Sequence, residues 1–198
     1  MTTKSELTKA HIIEQVAPIF NKKGYAATSM SDICSATNLT KGAIYGNFSN
    51  KEELSLMAFR HNVKKVIGKI SEELVCFKKA DEKLFGLSNF YRKYYDYTLA
   101  FGGCPILNIG IDANHQNPKL LEEVKRIIEK LENNIAQIIQ QGITEKTFKT
   151  DLNVQKYARR IFSMIEGSIF MSITTNKEEY ILDMMDQLDL IIQSELMQ

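Results

Sequence analysis

Cysteine, proline and long apolar runs are scarce in this chain, and each shortage excludes something. The three cysteines (Cys34, Cys76 and Cys104) are odd in number and widely spaced. That fits neither a disulfide framework nor a zinc site, which needs clustered ligands. Three prolines and ten glycines leave little room for disordered linkers. No apolar stretch approaches the roughly 18 residues that a membrane span requires. Residues Met1 to Ala10 are polar and mixed in charge, without the apolar core of a secretory signal. A cytoplasmic location with no membrane partner is therefore expected. The three histidines (His11, His61 and His115) lie far apart, and no nucleophile–base set accompanies them. Asp112 and His115, three residues apart, offer two ligands, too few for a metal motif. The pattern predicts no enzyme, no metal and no cofactor.

What is present is ordinary for a soluble globular protein: 198 residues, 44% hydrophobic and 25% charged. That length suits one large domain or two small ones. Net charge is only +1, so the chain as a whole is not a basic nucleic-acid binder. The distribution is uneven, however. Residues 1–51 carry six lysines (4, 9, 22, 23, 41 and 51) against Glu6, Glu14 and Asp32, while the remainder carries 19 basic and 21 acidic residues. A basic end on a slightly acidic body suits a local phosphate-binding surface, although an imbalance of this size also arises by chance.

Helical periodicity dominates, and no alternating strand pattern lasts. Ile12, Val16 and Phe20 repeat every four residues, so residues 5–23 read as an amphipathic helix with Gly24 in place for a left-handed cap. Pro18 removes a backbone donor and should bend it. Ser29 with Asp32 resembles a capping box and opens a helix that turns Met30, Ile33 and Cys34 inward. Thr37-Asn38 breaks that helix, and Thr40 caps a third short one with Ile44 and Phe48 on one face. Asn50 with Glu53 opens a long helix through Leu54, Met57, Ala58 and His61. Further helices are predicted over about 81–100, from Pro105, over about 119–142, over about 153–175, and through Ile181, Met185, Leu188, Ile191 and Ile192. The fold class is all-α with about nine helices: an N-terminal three-helix unit at 1–50, then a helical body at 51–198.

The segment Thr28 to Leu54, TSMSDICSATNLTKGAIYGNFSNKEEL, holds two short helices joined by a tight turn. That is helix-turn-helix geometry, in which the second helix enters the major groove. With Ile44 and Phe48 inward beside Leu39, the residues Thr40, Lys41, Ala43, Tyr45 and Asn47 are left outside. Glycine costs ~1 kcal/mol relative to alanine inside a helix, so Gly42 and Gly46 imply a steric reason for smallness. Close approach of the backbone to DNA is one such reason; tight helix packing or a strained loop is another.

The order and spacing of Gly24, Tyr25, Thr28, Ile33, Lys41, Gly42, Tyr45, Phe48, Lys51 and Leu54 resemble the DNA-binding domain of the TetR (tetracycline repressor) family. The resemblance covers about the first 55 residues in motif detail, and the helical remainder agrees in length. Two positions depart from the family pattern: Asn47 stands where histidine is frequent, and Gly46 where a bulkier residue is common. The resemblance implies a transcriptional repressor that binds double-stranded DNA. Thr28 and Ser29 would hold a phosphate at a helix N-terminus, as would Lys51 by charge. Lys41 and Tyr45 would touch phosphates or base edges, Asn47 would pair with adenine, and Thr40 would cap its helix.

The same resemblance makes the last two long helices a homodimer interface, where Gly167 and Ser168 permit close approach. A two-fold dimer implies a palindromic operator with recognition helices ~34 Å apart. Both apolar stripes could equally face the protomer's own core. The middle helices should hold a small-molecule inducer, apolar or aromatic. Phe90, Tyr94 and Tyr97, with Phe101, Cys104 and Asn108, are the candidate contacts; such aromatics also serve as ordinary core. Cys104 precedes Pro105 at a helix start, so a thiol sensor of electrophiles or oxidants is one alternative and a buried inert thiol another. A scaffold that recruits a protein partner is the third reading.

Overall fold

A computed structural model describes residues 3–114 and 116–198; His115, considered above for its ligand spacing, lies outside the described residues. The described residues form ten α-helices and a final π-helical turn, Ile191–Leu196. The helices are α1 (Lys4–Ala27), α2 (Met30–Thr37), α3 (Lys41–Tyr45), α4 (Lys51–Leu74), α5 (Ala80–Arg92), α6 (Tyr94–Phe101), α7 (Pro105–Ala113), α8 (Pro118–Thr144), α9 (Val154–Thr175) and α10 (Glu179–Leu190). The helix expected over 81–100 is two, because the backbone leaves helical geometry at Lys93 (φ −92°, ψ 1°). No described helix is long and apolar enough to cross a membrane.

The chain resolves into two compact units, Met1–Val66 with Phe101–Lys125, and Ile67–Ala100 with Arg126–Gln198. The three-helix head expected over 1–50 lies within the first. Its core gathers Ile12, Val16, Ala17 and Phe20 from α1, Ile33 from α2, Ile44 from α3, Phe48 just beyond it, and Leu54 and Ala58 from α4. All are at most 2% exposed, and burying a side chain of the larger kind contributes about 1.5–3 kcal/mol.

Short helices cannot hold themselves together in water, and the two short helices α2 and α3 are both capped by side chains. Asp32 N–H donates to Ser29 Oγ (3.1 Å), and Ser29 N–H donates back to Asp32 Oδ2 (2.8 Å), the predicted capping box. Asn38 takes the left-handed turn (φ 55°). Ala43 N–H donates to Thr40 Oγ1 (3.2 Å) and Glu53 N–H to Asn50 Oδ1 (2.8 Å), as the sequence implied. The interruption in α1 falls at Gly24 (φ 80°), while helical dihedrals continue through Pro18.

Gly24 is required for a second reason. A Cβ there would stand 2.9 Å from Asp112 Cγ. The Asp112 carboxylate, near the end of α7, accepts the backbone N–H groups of Tyr25 and Ala26. At the other end of α7 the buried Asn21 donates its amide to Phe101 O and Gly103 O, both 3.0 Å. Asn108 donates to Asn21 O (2.9 Å) and Gly102 O (2.7 Å). Gly102 and Gly103 form this turn at positive φ. Two side-chain amides and one carboxylate thus fasten α7 to α1.

In the second unit, α9 contributes Ala158, Ile161, Phe162, Ile165 and Ile169 to the core, and α10 contributes Ile181, Met185 and Leu188. Arg92 bridges Asp186 and Asp189 on α10, at 2.7 Å each. The C-terminal turn is closed by Lys149 N–H donating to Leu196 O (2.8 Å).

Asp32 also pairs with Lys23 Nζ at 2.7 Å. The Lys23 ammonium and the Ser29 hydroxyl and amide hold its carboxyl well below the usual carboxylate range. A lowered folded pKa means that the stabilisation is complete above the ordinary value of about 4 and is lost as pH falls through the folded value. Asp32→Asn is expected to lower Tm at neutral pH, and the gap to wild type should narrow steadily in melts taken below about pH 4. A gap that stayed constant into acid would assign the effect to packing.

Candidate functional site

With Ile44 and Phe48 locked into the core, the rest of α3 has one direction left to face. Thr40, Lys41, Gly42, Tyr45 and Gly46 are exposed, Ala43 and Asn47 are half-buried, and Tyr45 is 41% exposed despite its size. Lys41 Nζ lies 5.9 Å from the centre of the Tyr45 ring, so ammonium and phenol form one ridge. This rim offers hydroxyl and ammonium donors of the kind that phosphate oxygens accept. Asn47, the expected adenine reader, donates its side-chain amide back to Ala43 O (2.9 Å).

The two glycines of this ridge are small for no internal reason. A Cβ at Gly42 would meet only Thr40 Oγ1, at 3.9 Å, and one at Gly46 would come no nearer than 3.4 Å to Gly42 O. Both have room for a methyl group as far as their own chain is concerned, and neither has positive φ. Tight packing within the protomer therefore does not account for their smallness.

Thr28 and Ser29, expected to act together on a phosphate, are placed differently. Ser29 is exposed at the N-terminus of α2. Thr28 is fully buried, and its hydroxyl donates to Gly24 O at 2.6 Å. Its hydroxyl therefore closes the turn after α1, a role that its position in the motif did not reveal. Lys51, at the start of α4, lies with Nζ 4.4 Å from the centre of the Tyr25 ring. Desolvation lowers its pKa, against the opposing pull of Asp112 and Asp32.

The six residues expected to contact ligand are divided evenly between the two compact units. Phe101, Cys104 and Asn108 belong to the first unit, and Phe90, Tyr94 and Tyr97 to the second. Asn108 is committed to the Gly102 turn. Cys104 does stand at the N-cap of α7 with Pro105 next, but it is only 4% exposed, which withholds its sulfur from solvent. Phe90, Tyr94 and Tyr97 line a cleft of about 340 Å³ whose other walls are charged: Lys69, Glu72, Glu73 and Lys93. Lys69 Nζ is 4.2 Å from the centre of the Tyr97 ring, and Lys93 pairs with Glu73 at 3.3 Å. Sequence reasoning missed Asn21 and Asp112, whose roles depend on partners more than 80 positions away.

On α9 the small residues part company. Gly167 is exposed, with open space where a Cβ would be, whereas Ser168 is buried and donates to Ile165 O (2.8 Å). Met164, Met171, Tyr180 and Met184 line an open surface with Gly167, and Phe170, one position before Met171, is 45% exposed.

Comparison with known proteins agrees with this geometry. Residues 12–56 match the family model described as bacterial regulatory proteins, tetR family, and residues 80–188 match that of the tetracyclin repressor-like C-terminal domain. A TetR-family transcriptional regulator from Cytophaga hutchinsonii is 35% identical and superposes with a TM-score of 0.92 over 98% of this chain and 96% of its own. A TetR transcriptional regulator from Chloroflexus aurantiacus J-10-FL is 29% identical, with a TM-score of 0.92 and 98% of each chain covered. The HTH-type transcriptional repressor DhaR of Mycobacterium sp. (strain GP1) is 24% identical over 174 residues, 86% of this chain and 85% of that protein. The C-terminal model alone spans more than half of the 198 residues, and the chain belongs to the TetR family of DNA-binding transcriptional regulators.

Proposed function

We propose that this regulator is a homodimeric repressor, released from a palindromic operator when a small molecule binds its body. Residues 1–50 would read DNA, and 51–198 would bind ligand and dimerise. The observation that carries the DNA part is the outward ridge of α3, where the exposed Thr40, Lys41 and Tyr45 stand beside glycines that their own fold does not need to be small. A methyl-free backbone lets a recognition helix settle deep in the major groove. Lys41 and Lys51 add sequence-independent attraction to phosphates.

The exposed face of α9 and α10 around Gly167, Met171 and Tyr180 supports a two-fold dimer, because apolar area left uncovered on a protomer is stabilised by a second copy. Ligand response requires a conformation that binds ligand well and DNA poorly, and the coupling equals the difference in ligand affinity between the two states. Helix α4 suits this role, since its residues 51–66 belong to one compact unit and 67–74 to the other.

Binding of the purified protein to its own upstream intergenic DNA, followed by fluorescence anisotropy over a salt series, tests the reading. Tight, saturable binding by two protomers per site is expected; absence of any preferred site, including from randomised libraries, would overturn it. Gly42→Ala should leave Tm unchanged or raise it, since alanine favours helix by up to ~1 kcal/mol, yet weaken operator binding about tenfold through one misplaced methyl in a tight contact. Lys41→Ala should reduce the slope of log K against log salt by about 1. For the dimer, Gly167→Arg is expected to halve the mass measured by light scattering and to abolish operator binding while the circular dichroism stays helical; a full-mass variant would place the interface elsewhere.

A further inference from the structure

The second unit holds an opening unlike the tyrosine cleft. It measures about 190 Å³, and its walls come from α4, α5, α8 and α9. Ile70, Leu87, Ile135 and Phe162 are typical of those walls. No Asp, Glu, Lys, Arg or His stands among the described residues that line it, and its polar residues, Ser71, Tyr91 and Asn134, are all uncharged. The tyrosine cleft, by contrast, carries two lysines and two glutamates.

We infer that this cavity binds a small, uncharged, largely apolar molecule, about the size of one substituted aromatic ring. Size follows from volume: a cavity of about 150 Å³ lined by Leu, Ile and Phe accepts benzene, and this one is somewhat larger. Charge follows from the walls. A carboxylate or ammonium group entering the cavity would exchange water for hydrocarbon with no counter-ion to meet it. One or two polar substituents on the ligand are matched by Ser71 and Asn134, in the pattern of few polar groups on an apolar surface. Phe90, Tyr94 and Tyr97, three of the aromatic residues expected to form the ligand site, line a different, charged cleft, and isoleucines such as Ile135 and Ile138 that read as plain core stripe line this one. That the occupant acts as an inducer rests on the repressor reading above; that the cavity takes a neutral apolar molecule does not.

The test titrates the full-length protein at pH 7 with three probes of similar size, 4-methylphenol, benzoate and benzylammonium, by ligand-observed NMR. Saturable binding of 4-methylphenol is expected, at least about tenfold tighter than either ion. Ile138→Phe and Ile70→Phe, two separate fillings of the cavity, should each weaken it about tenfold while circular dichroism confirms the fold. The inference is overturned if 4-methylphenol does not bind, if an ion binds as tightly, or if a folded filling variant binds like wild type. Anisotropy with the upstream DNA is read in parallel. Cavity-dependent binding that leaves DNA affinity unchanged would support the site and remove its role as an inducer site.

Discussion

The outward face of α3 depends on the two side chains that turn inward. A helix of five residues has too few backbone bonds to persist alone. Ile44 and Phe48, 1% and 2% exposed, insert it into a core supplied by Ile12, Val16 and Phe20 of α1 and Leu54 of α4. Once those positions are buried, the helical repeat leaves Lys41, Gly42 and Tyr45 no option but the surface. The outward chemistry of α3 is therefore a consequence of packing: the core sets the rotation of the helix, and the rotation sets which side chains reach the surface.

Polar contacts locate what apolar packing leaves free to slide. Asn21, Asn108 and Asp112 each satisfy backbone groups at the joint between α1 and α7. Each such bond contributes only about 1 kcal/mol net, whereas leaving a buried donor or acceptor without a partner costs more. The joint thus tolerates one geometry well and its neighbours poorly. The left-handed backbone at Gly24 belongs to the same device, since only a residue without a Cβ leaves space for the Asp112 carboxylate. Lys51, beside Tyr25, stands next to this joint and feels Asp112, so the chemistry of the head and the seating of α7 share residues.

The body separates two kinds of concave surface. Tyrosines that look like ligand contacts sit beside lysines and glutamates, and one of their rings already faces a cation, Lys69 over Tyr97. The uncharged cavity is walled mainly by aliphatic residues, with a single phenylalanine and a single tyrosine. Composition of a helix face is a poor guide to which of its residues border a void, because a void is made by three or four helices at once.

Local rules were enough for much of this protein. The all-helical class, the caps at Ser29, Thr40 and Asn50, the left-handed Asn38 and the interruption at Gly24 all follow from side chains and backbones a few positions apart, and each is found as expected. So does the inward turn of Ile44 and Phe48, which makes the α3 ridge legible in the amino-acid pattern alone. Tertiary structure alone decided the break at Lys93, the burial of Thr28, the commitment of Asn108 to the Gly102 turn, the division of the six expected ligand contacts between two units, and the position of the uncharged cavity. The reason is range: caps and helical faces are set by neighbours within about one turn of helix, whereas burial, polar joints and voids depend on residues 60 to 90 positions apart, whose meeting no local pattern records.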